Sequence, residues 1–293
     1  MKRTALPNVI LALAVLMAPL GAHATGPVTA PPPPRWATLP DVPPLPRPDV
    51  DDYVSVNGAR LHYMVFNAGG GRPVLLLHGG LGSALEWGFE VPRLTPRHEV
   101  IALDCRGRGR SSLPAQPLGY ALMAADTIGV LDALHLPTVS IVGESDGGII
   151  GLLLAIYYPE RVHKLFVFGA NYSRSGYTDT PPDPRLAARY MARVQADYRR
   201  LSPTPDGFIR MRAMLGDMYS REPEIAPADL ARITAPTVVA DGDHEQFIRA
   251  AHTRSLARLI PGARLEILAD VGHGGVVQDP QAFHSAVASL LDP

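Results

Sequence analysis

The sequence feature that most constrains the fold is a glycine-framed turn between two apolar runs. The turn is Gly143 to Gly147 (Gly-Glu-Ser-Asp-Gly), with Val139 to Val142 before it and Ile149 to Ile156 after it. This pattern predicts a strand, a sharp turn with Ser145 at its apex, and a helix. Glycine is needed on both sides because side chains there would collide with neighbouring backbone. The simpler alternative is a glycine-rich helix start with Ser145 as its N-cap.

The N-terminus has the pattern of a bacterial-type signal peptide. Lys2 and Arg3 precede the apolar run Ala5 to Leu20, and Ala22-His23-Ala24 supplies small residues for cleavage. We therefore expect residues 1–24 to be removed after Ala24 and the protein to be periplasmic or secreted, with no membrane span after cleavage. The alternative is an uncleaved anchor, because the apolar run is about as long as the shortest bilayer-spanning helices.

Composition narrows the class of protein. The chain has 293 residues, of which 46% are hydrophobic and 19% charged, as in one large globular domain. The formal net charge of −1 predicts no nucleic-acid partner, although Arg106, Arg108 and Arg110 lie close together. Cys105 is the single cysteine, which excludes an intramolecular disulfide.

The chain divides by composition into three parts: the signal peptide, a proline-rich linker at 25–50, and a domain at 51–293. In the domain, apolar runs alternate with helical patterns, which predicts a layered α/β fold with a mostly parallel sheet. The expected strands are Tyr53–Val56, Arg60–Phe66, Val74–His78, Val100–Leu103, Val139–Val142, Lys164–Phe168, Thr237–Ala240 and Arg264–Leu268. The expected helices are Tyr120–Leu134, Asp146–Tyr158 and Pro280–Leu291. Residues 171–232 lack a clear strand and are interpreted as a helical lid.

A serine hydroxyl needs a base to act as a nucleophile at neutral pH, and histidine is the usual base. Among ten histidines, His273 lies in the glycine-flanked loop Asp270 to Gly274, between the last strand and the last helix. Such loops at strand ends are where site residues tend to lie. Ser145 and His273 are therefore the candidate nucleophile and base.

Together these segments resemble the landmarks of the α/β-hydrolase fold. The resemblance rests on Leu75 to Gly80, Asp104 to Ser111, the Ser145 turn, Thr237 to Glu245 and the His273 loop, and it covers about Asp51 to Pro293 apart from the lid. It implies an eight-stranded, mostly parallel sheet flanked by helices, with the lid inserted after the sixth strand. It also implies the order Ser, acid, His along the chain, and an oxyanion hole formed by the N–H groups of Gly80 and Asp146.

Three carboxylates in Asp241 to Glu245 compete for the role of acid. The resemblance implies Glu245, and Asp243 is the alternative; either would supply an acceptor for the imidazole N–H. The chain departs from the family pattern at Arg108, where the family has histidine, a position outside the triad. Cys105 is interpreted as a packed thiol rather than a nucleophile.

Serine at the turn favours hydrolysis of a carboxylic ester, lactone or thioester through an acyl-enzyme, with a small ester-like molecule as substrate and no metal or cofactor. The alternatives on the same triad are an amino-acid ester hydrolase or aminopeptidase, a cofactor-free perhydrolase and a C–C bond hydrolase. A non-catalytic binding module is a further alternative. For amino-acid esters, Asp146 is a candidate contact for a substrate ammonium group; its simpler role is that of a negative charge at a helix N-terminus.

Overall fold

The central element of the fold is an eight-stranded sheet. The structure is a computed structural model that describes residues 32–113, 115–180 and 182–292. The described residues form eight strands: β1 Val50–Val56, β2 Ala59–Phe66, β3 Val74–Leu77, β4 Val100–Leu103, β5 Val139–Glu144, β6 Val162–Phe168, β7 Thr237–Gly242 and β8 Arg264–Leu268. Their order is β1-β2-β4-β3-β5-β6-β7-β8. Only the pairs β1–β2 and β2–β4 are antiparallel within this sheet.

The expected α/β-hydrolase architecture is confirmed, and every expected strand is present. The differences are at strand ends. β1, β2 and β6 begin at Val50, Ala59 and Val162, earlier than expected, β5 and β7 each continue two residues further, and His78 lies beyond β3. The added ends of β5 and β7 are polar or contain glycine, so the apolar run in the sequence stops before the backbone pairing does.

The helices are α1 Val91–Leu94, α2 Tyr120–Ala133, α3 Asp146–Tyr157, α4 Pro184–Leu201, α5 Phe208–Tyr219, α6 Pro227–Leu230, α7 Ala250–Leu259, α8 Gly275–Gln278 and α9 Pro280–Leu291. Successive side chains of a strand point to opposite faces, so β3 contributes to two cores. Leu75 and Leu77 pack with residues of α2 and α3 on one face. Val74 and Leu76 pack with Phe283 of α9 on the other. The sheet is thus covered by helices on both faces. None of the described helices is long and apolar enough to cross a bilayer.

Residues 171–232 lie between β6 and β7 and contain α4, α5 and α6. We call this segment the insertion. Asp183 caps α4 by accepting hydrogen bonds from the N–H groups of Arg185 and Leu186, and Pro184 occupies the first helical position. The insertion is helical, as its sequence indicates, and its action as a lid stays a prediction.

The compact unit of the chain begins at Pro33, before the boundary that composition predicts near Asp51. Arg35–Ala37 forms a 3₁₀ turn, and Val42 and Leu45 pack against the core on the α9 face. The physical reason is that a proline-rich segment keeps its carbonyl acceptors and apolar rings, which suit a packed surface as well as a free linker. The predicted signal peptide and its cleavage after Ala24 lie outside the described residues.

Candidate active site

The sequence-predicted residues meet at one edge of the sheet. Gly80 follows β3, Ser145 follows β5, Glu245 follows β7 and His273 follows β8. These strands are parallel, so their carboxyl ends lie together, and a crevice at this edge is where open α/β sheets bind ligands.

Ser145 lies at the apex of a strained turn. Its φ of 50° and ψ of −115° are unfavourable for a residue with a side chain. Its N–H donates to the carbonyl of Phe168 at 2.8 Å, which fixes the turn against β6. A Cβ at Gly147 would lie 1.9 Å from the carbonyl oxygen of Leu77, and one at Gly143 would lie 2.4 Å from that of Gly147. The two glycines are therefore required by the close approach of backbone, as the sequence pattern predicts.

His273 and Glu245 form a hydrogen-bonded pair, with Nδ1 of the imidazole 2.8 Å from Oε2 of the carboxylate. The other oxygen, Oε1, accepts from the backbone N–H groups of Phe247 at 2.6 Å and Ile248 at 3.2 Å. The Glu245 side chain is only 3% exposed. It is thus fixed by its own loop, and it leaves Nε2 of His273 as the nitrogen available to other groups.

The charges of this pair reinforce each other. Burial raises the pKa of Glu245, but the adjacent imidazolium and its hydrogen bond outweigh burial and hold that pKa below its usual value. Burial opposes charging of His273, but the charge and hydrogen bond of Glu245 raise the pKa of the imidazole to about 9. The hydrogen-bonded pair of His273 and Glu245 therefore favours the ionised forms of both partners. Burial and the charge of Glu245 raise the pKa of the neighbouring Asp241 well above its usual value.

Asp243, the alternative acid, lies elsewhere. Its Oδ1 is 2.7 Å from Nδ1 of His244 and accepts from the N–H of Val271 at 3.2 Å. Its side chain is 39% exposed. The structure therefore brings Glu245, and not Asp243, into contact with His273.

Two glutamines hold the backbone of the His273 loop, and sequence reasoning did not find them. Oε1 of Gln246 accepts from the N–H of His273 at 3.0 Å, and Oε1 of Gln278 accepts from the N–H of Gly272 at 2.7 Å. The Phe247 ring also meets the imidazole edge-on, with centroids 4.8 Å apart. The sequence signal was only their nearness to Glu245 and His273.

Ser145 and His273 lie on either side of the end of β6. Phe168 accepts from the N–H of Ser145, and a Cβ at the next residue, Gly169, would lie 3.0 Å from the ring of His273. Among the described residues no hydrogen bond joins the Ser145 hydroxyl to His273. Catalytic hydrogen bonds in free enzymes are often long and tighten when substrate binds.

Gly80 and Asp146 offer backbone N–H groups beside the Ser145 turn. In the part of the chain that the structure describes, neither amide donates to another protein group, while Gly82 closes the loop by donating to the carbonyl of Gly79 at 3.1 Å. A Cβ at Gly80 would lie 3.0 Å from Oδ2 of Asp146, so the two residues adjoin. They have the free donors that an oxyanion hole needs.

The side chain of Asp146 is buried and bound by two tyrosines that sequence reasoning missed. The hydroxyl of Tyr120 donates to Oδ1 at 2.8 Å, and that of Tyr219 donates to Oδ2 at 3.0 Å. Burial raises the pKa of Asp146, against the charge of Arg108 and the two tyrosine hydrogen bonds. The contact of Asp146 with a substrate ammonium stays a prediction, and each oxygen already accepts one hydroxyl.

The loop after β4 is held by buried polar contacts. Arg108 is fully buried and donates to the carbonyl of Arg106 at 2.9 Å, and Arg106 forms a buried ion pair with Asp126. Cys105 donates its N–H to Nε2 of His78 at 3.1 Å. Burial raises the pKa of the Cys105 thiol to about 12, as expected for a packed thiol.

Glu144 is a further acidic residue at the site. It directly precedes Ser145 and is 7% exposed. Burial raises its pKa to about 7, with the charge of His273 opposing the shift and that of Glu245 adding to it. No cluster of three or more metal-ligating side chains is present among the described residues.

Comparison with known proteins gives consistent matches. The sequence model of the alpha/beta hydrolase family matches residues 74–286. RutD of Caulobacter vibrioides, assigned by name to carbamate hydrolysis, is 30% identical over 79% of this chain and 95% of its own. The 3-oxoadipate enol-lactonase 2 of Acinetobacter baylyi is 28% identical over 82% of this chain and 96% of its own.

Comparison with solved structures gives matches of the same kind. A hydrolase from Pseudomonas aeruginosa is 28% identical, with a TM-score of 0.67, over 84% of this chain and 99% of that one. The similarity thus extends over most of both chains in sequence and in fold.

Proposed function

Because the chain belongs to the alpha/beta hydrolase family, we propose that it is a serine hydrolase that cleaves a carboxylic ester, lactone or thioester through an acyl-enzyme on Ser145. The observation that carries the proposal is the 2.8 Å pair of His273 and Glu245 at the sheet edge that holds the Ser145 turn. The names of the similar proteins support hydrolysis in general.

In the proposed acylation step, Oγ of Ser145 attacks the carbonyl carbon and its proton passes to Nε2 of His273. The carbonyl π electrons move onto oxygen, where the N–H groups of Gly80 and Asp146 stabilise the negative charge. Glu245 holds Nδ1–H and stabilises the imidazolium. The tetrahedral intermediate then collapses and breaks the bond from the acyl carbon to the leaving oxygen or sulfur. His273 gives the proton to that atom, so that an alcohol, enol or thiol departs.

In the deacylation step, water takes the place of the leaving group. Nε2 of His273 accepts one proton from the water, and the hydroxide oxygen attacks the acyl carbon. Collapse breaks the bond to Ser145, whose Oγ regains the proton from His273. The products are a carboxylic acid and the free enzyme, so atoms and charge balance without a redox step.

A carbamate is the second candidate substrate class. A relative that covers most of this chain is named for carbamate hydrolysis, and the same serine could attack the carbamate carbonyl. The enol-lactonase name of another relative favours a lactone within the ester class. A lactone differs from an open ester because, after the bond between the acyl carbon and the ring oxygen breaks, the leaving alcohol or enol stays linked to the acyl group through the carbon chain of the former ring.

The nucleophile is tested with a fluorophosphonate probe and peptide mass mapping. We expect label on Ser145, and loss of label and hydrolysis in Ser145→Ala, with Ser285→Ala on the exposed face of α9 as the matched control. Label on another residue, or full activity of Ser145→Ala, contradicts the proposal. Absence of both label and hydrolysis in the wild-type chain supports the non-catalytic alternative.

The substrate class is tested with a panel. p-Nitrophenyl esters of increasing chain length are compared with lactones, thioesters, carbamates and aminoacyl esters. Turnover of aminoacyl-naphthylamides without ester turnover would select the aminopeptidase alternative. Peroxide-dependent halogenation and cleavage of a vinylogous diketone are assays for the perhydrolase and C–C hydrolase alternatives.

A further inference from the structure

The N-terminal segment Arg35–Asp41, which we call the strap, lies against the loop that carries His273. The Arg35 guanidinium contacts Asp270 through Nε at 3.3 Å and donates to the carbonyl of Ala269 at 3.1 Å. Its Nη1 lies 2.5 Å from Oδ2 of Asp279. Asp270 is in the left-handed region at φ 56°, where the chain leaves β8 for the His273 loop. One arginine therefore holds both ends of the segment 269–279.

A second connection passes through one buried side chain. Nε2 of Gln278 donates to the carbonyls of Trp36 at 3.0 Å and Thr38 at 3.1 Å. Oε1 of the same amide accepts from the N–H of Gly272 at 2.7 Å. Gln278 is 8% exposed. It joins the strap backbone directly to the residue before His273.

A third contact reaches the loop of the acid. The ring of Trp36 stacks on His244, with centroids 4.9 Å apart and planes 5° from parallel. His244 directly precedes Glu245. The strap therefore touches both loops that supply the proposed base and acid.

The C-terminal end of the strap is bound by the insertion. Arg193 of α4 donates to the carbonyls of Pro40 at 2.7 Å and Leu39 at 3.1 Å, and it contacts Asp41 at 3.0 Å. Pro40 suits this role because its fixed φ lowers the entropy lost on ordering. The strap thus spans from the His273 loop to α4.

We propose that the strap is a positioning element of the active site, which sets the distance between His273 and Ser145 and couples it to helix α4 of the insertion. The catalytic part of this inference rests on the proposed role of His273. A base must lie within hydrogen-bond reach of the proton that it accepts, and a displacement of 1 Å can cost about a hundredfold in rate. Trp36 and Arg35 act through the two loops and do not touch the reacting atoms.

The test compares full-length variants at a temperature well below their unfolding transitions. Trp36→Ala removes the stacking and Arg35→Met removes the ion pairs, while Trp36→Phe and Arg35→Lys keep part of each contact. Arg47→Ala, an exposed arginine of the same proline-rich segment, is the control. Steady-state ester hydrolysis, the rate of fluorophosphonate labelling, thermal unfolding and hydrogen exchange of the peptide 269–279 are measured.

We expect Trp36→Ala and Arg35→Met to lower kcat and the labelling rate by about tenfold or more with KM within about twofold. Hydrogen exchange of 269–279 should become faster in the same variants. Partial rescue in Trp36→Phe and Arg35→Lys, with wild-type behaviour in Arg47→Ala, is also expected. Arg193→Met should accelerate exchange in the same peptide, which it does not contact.

If the strap contributes only to global stability, the variants should have a lower Tm. Below that Tm, their kcat, labelling rate and hydrogen exchange should match those of the wild type, and that result overturns the proposal. The proposed function fails separately, through an active Ser145→Ala, whereas hydrogen exchange reports the strap contacts without catalysis. If Trp36→Ala does not fold, Arg35→Met compared with Arg35→Lys tests the same proposal.

Discussion

The hydroxyl of Tyr219 donates a hydrogen bond to Oδ2 of Asp146 at 3.0 Å, and so joins helix α5 of the insertion to the residue that follows Ser145. Tyr219 also lies over the loop after β3, because a Cβ at Gly80 would lie 2.0 Å from its hydroxyl oxygen. The insertion therefore contacts both residues proposed to supply the oxyanion-hole amides.

Tyr219→Phe is expected to destabilise the protein by about 1–3 kcal/mol, because it removes a donor from a buried carboxylate. We expect kcat to fall more than KM changes, since the lost bond orients the Asp146 backbone. Urea unfolding and ester kinetics measure the two effects. Tyr157→Phe, at an exposed tyrosine, is the control, and equal stability of the two variants would contradict the assignment.

The sequence predicts the sheet well because each buried strand is a short apolar run bounded by turn residues. Ser145 and His273 were selected by their positions after strands, and the structure places both at the same edge of the sheet; their catalytic roles stay predictions. Residue types alone left Asp243 as an alternative to Glu245, which the family resemblance implies. The turn after β7 brings Glu245 into contact with His273. Tyr120 and Tyr219 were missed because their shared partner, Asp146, lies 26 and 73 residues away in the chain. The strap was missed because the side-chain partners of Arg35, Trp36 and Asp41 lie far away in the chain. Its other contacts use backbone carbonyls, which every sequence has.

The pH dependence of hydrolysis is expected to follow His273. The base is active when neutral, and Glu245 raises its pKa to about 9, so kcat/KM should rise with pH through about pH 9 and level off above it. Glu245→Gln removes the charge that raises this pKa, so the midpoint should move down toward the ordinary histidine value of about 6.5. The plateau should fall by about 10³–10⁴-fold as the imidazole loses its orientation. The measurement is kcat/KM across pH.

Asp243→Asn is the matched control for that profile. Asp243 contacts His244 and the N–H of Val271 rather than His273, so its variant should keep the wild-type midpoint and plateau. A midpoint that moves in Asp243→Asn and stays fixed in Glu245→Gln would reverse the assignment of the acid.

Gly147→Ala is expected to destabilise the fold by about 3 kcal/mol or more, because its methyl would lie 1.9 Å from the carbonyl oxygen of Leu77. Because the methyl would be fixed to the backbone of α3 and the oxygen belongs to the backbone of β3, one of these two elements must shift. Gly216→Ala in the exposed face of α5 meets nothing within 4 Å and should gain up to about 1 kcal/mol from helix propensity. Thermal unfolding of both variants tests this, and a Gly147→Ala protein as stable as Gly216→Ala would refute the packing argument.

Export is testable by expression of the whole sequence in a bacterial host. We expect the protein in the periplasm or medium, with Thr25 as its first residue after cleavage at Ala24. N-terminal sequencing of the recovered protein identifies its first residue. The double variant Lys2→Glu and Arg3→Glu should retain the protein in the cytoplasm. A membrane-bound chain that begins at residue 1 would support the uncleaved anchor.

The burial of Cys105 gives the protein a use in spectroscopy. The single thiol of the chain is inaccessible and has a pKa of about 12, so maleimide dyes should react slowly with it at neutral pH. A cysteine introduced at Ile209, which is 78% exposed on α5, would then take a fluorophore at one position without removal of the native thiol. Emission from that dye during turnover could report in real time whether the helices above Ser145 move.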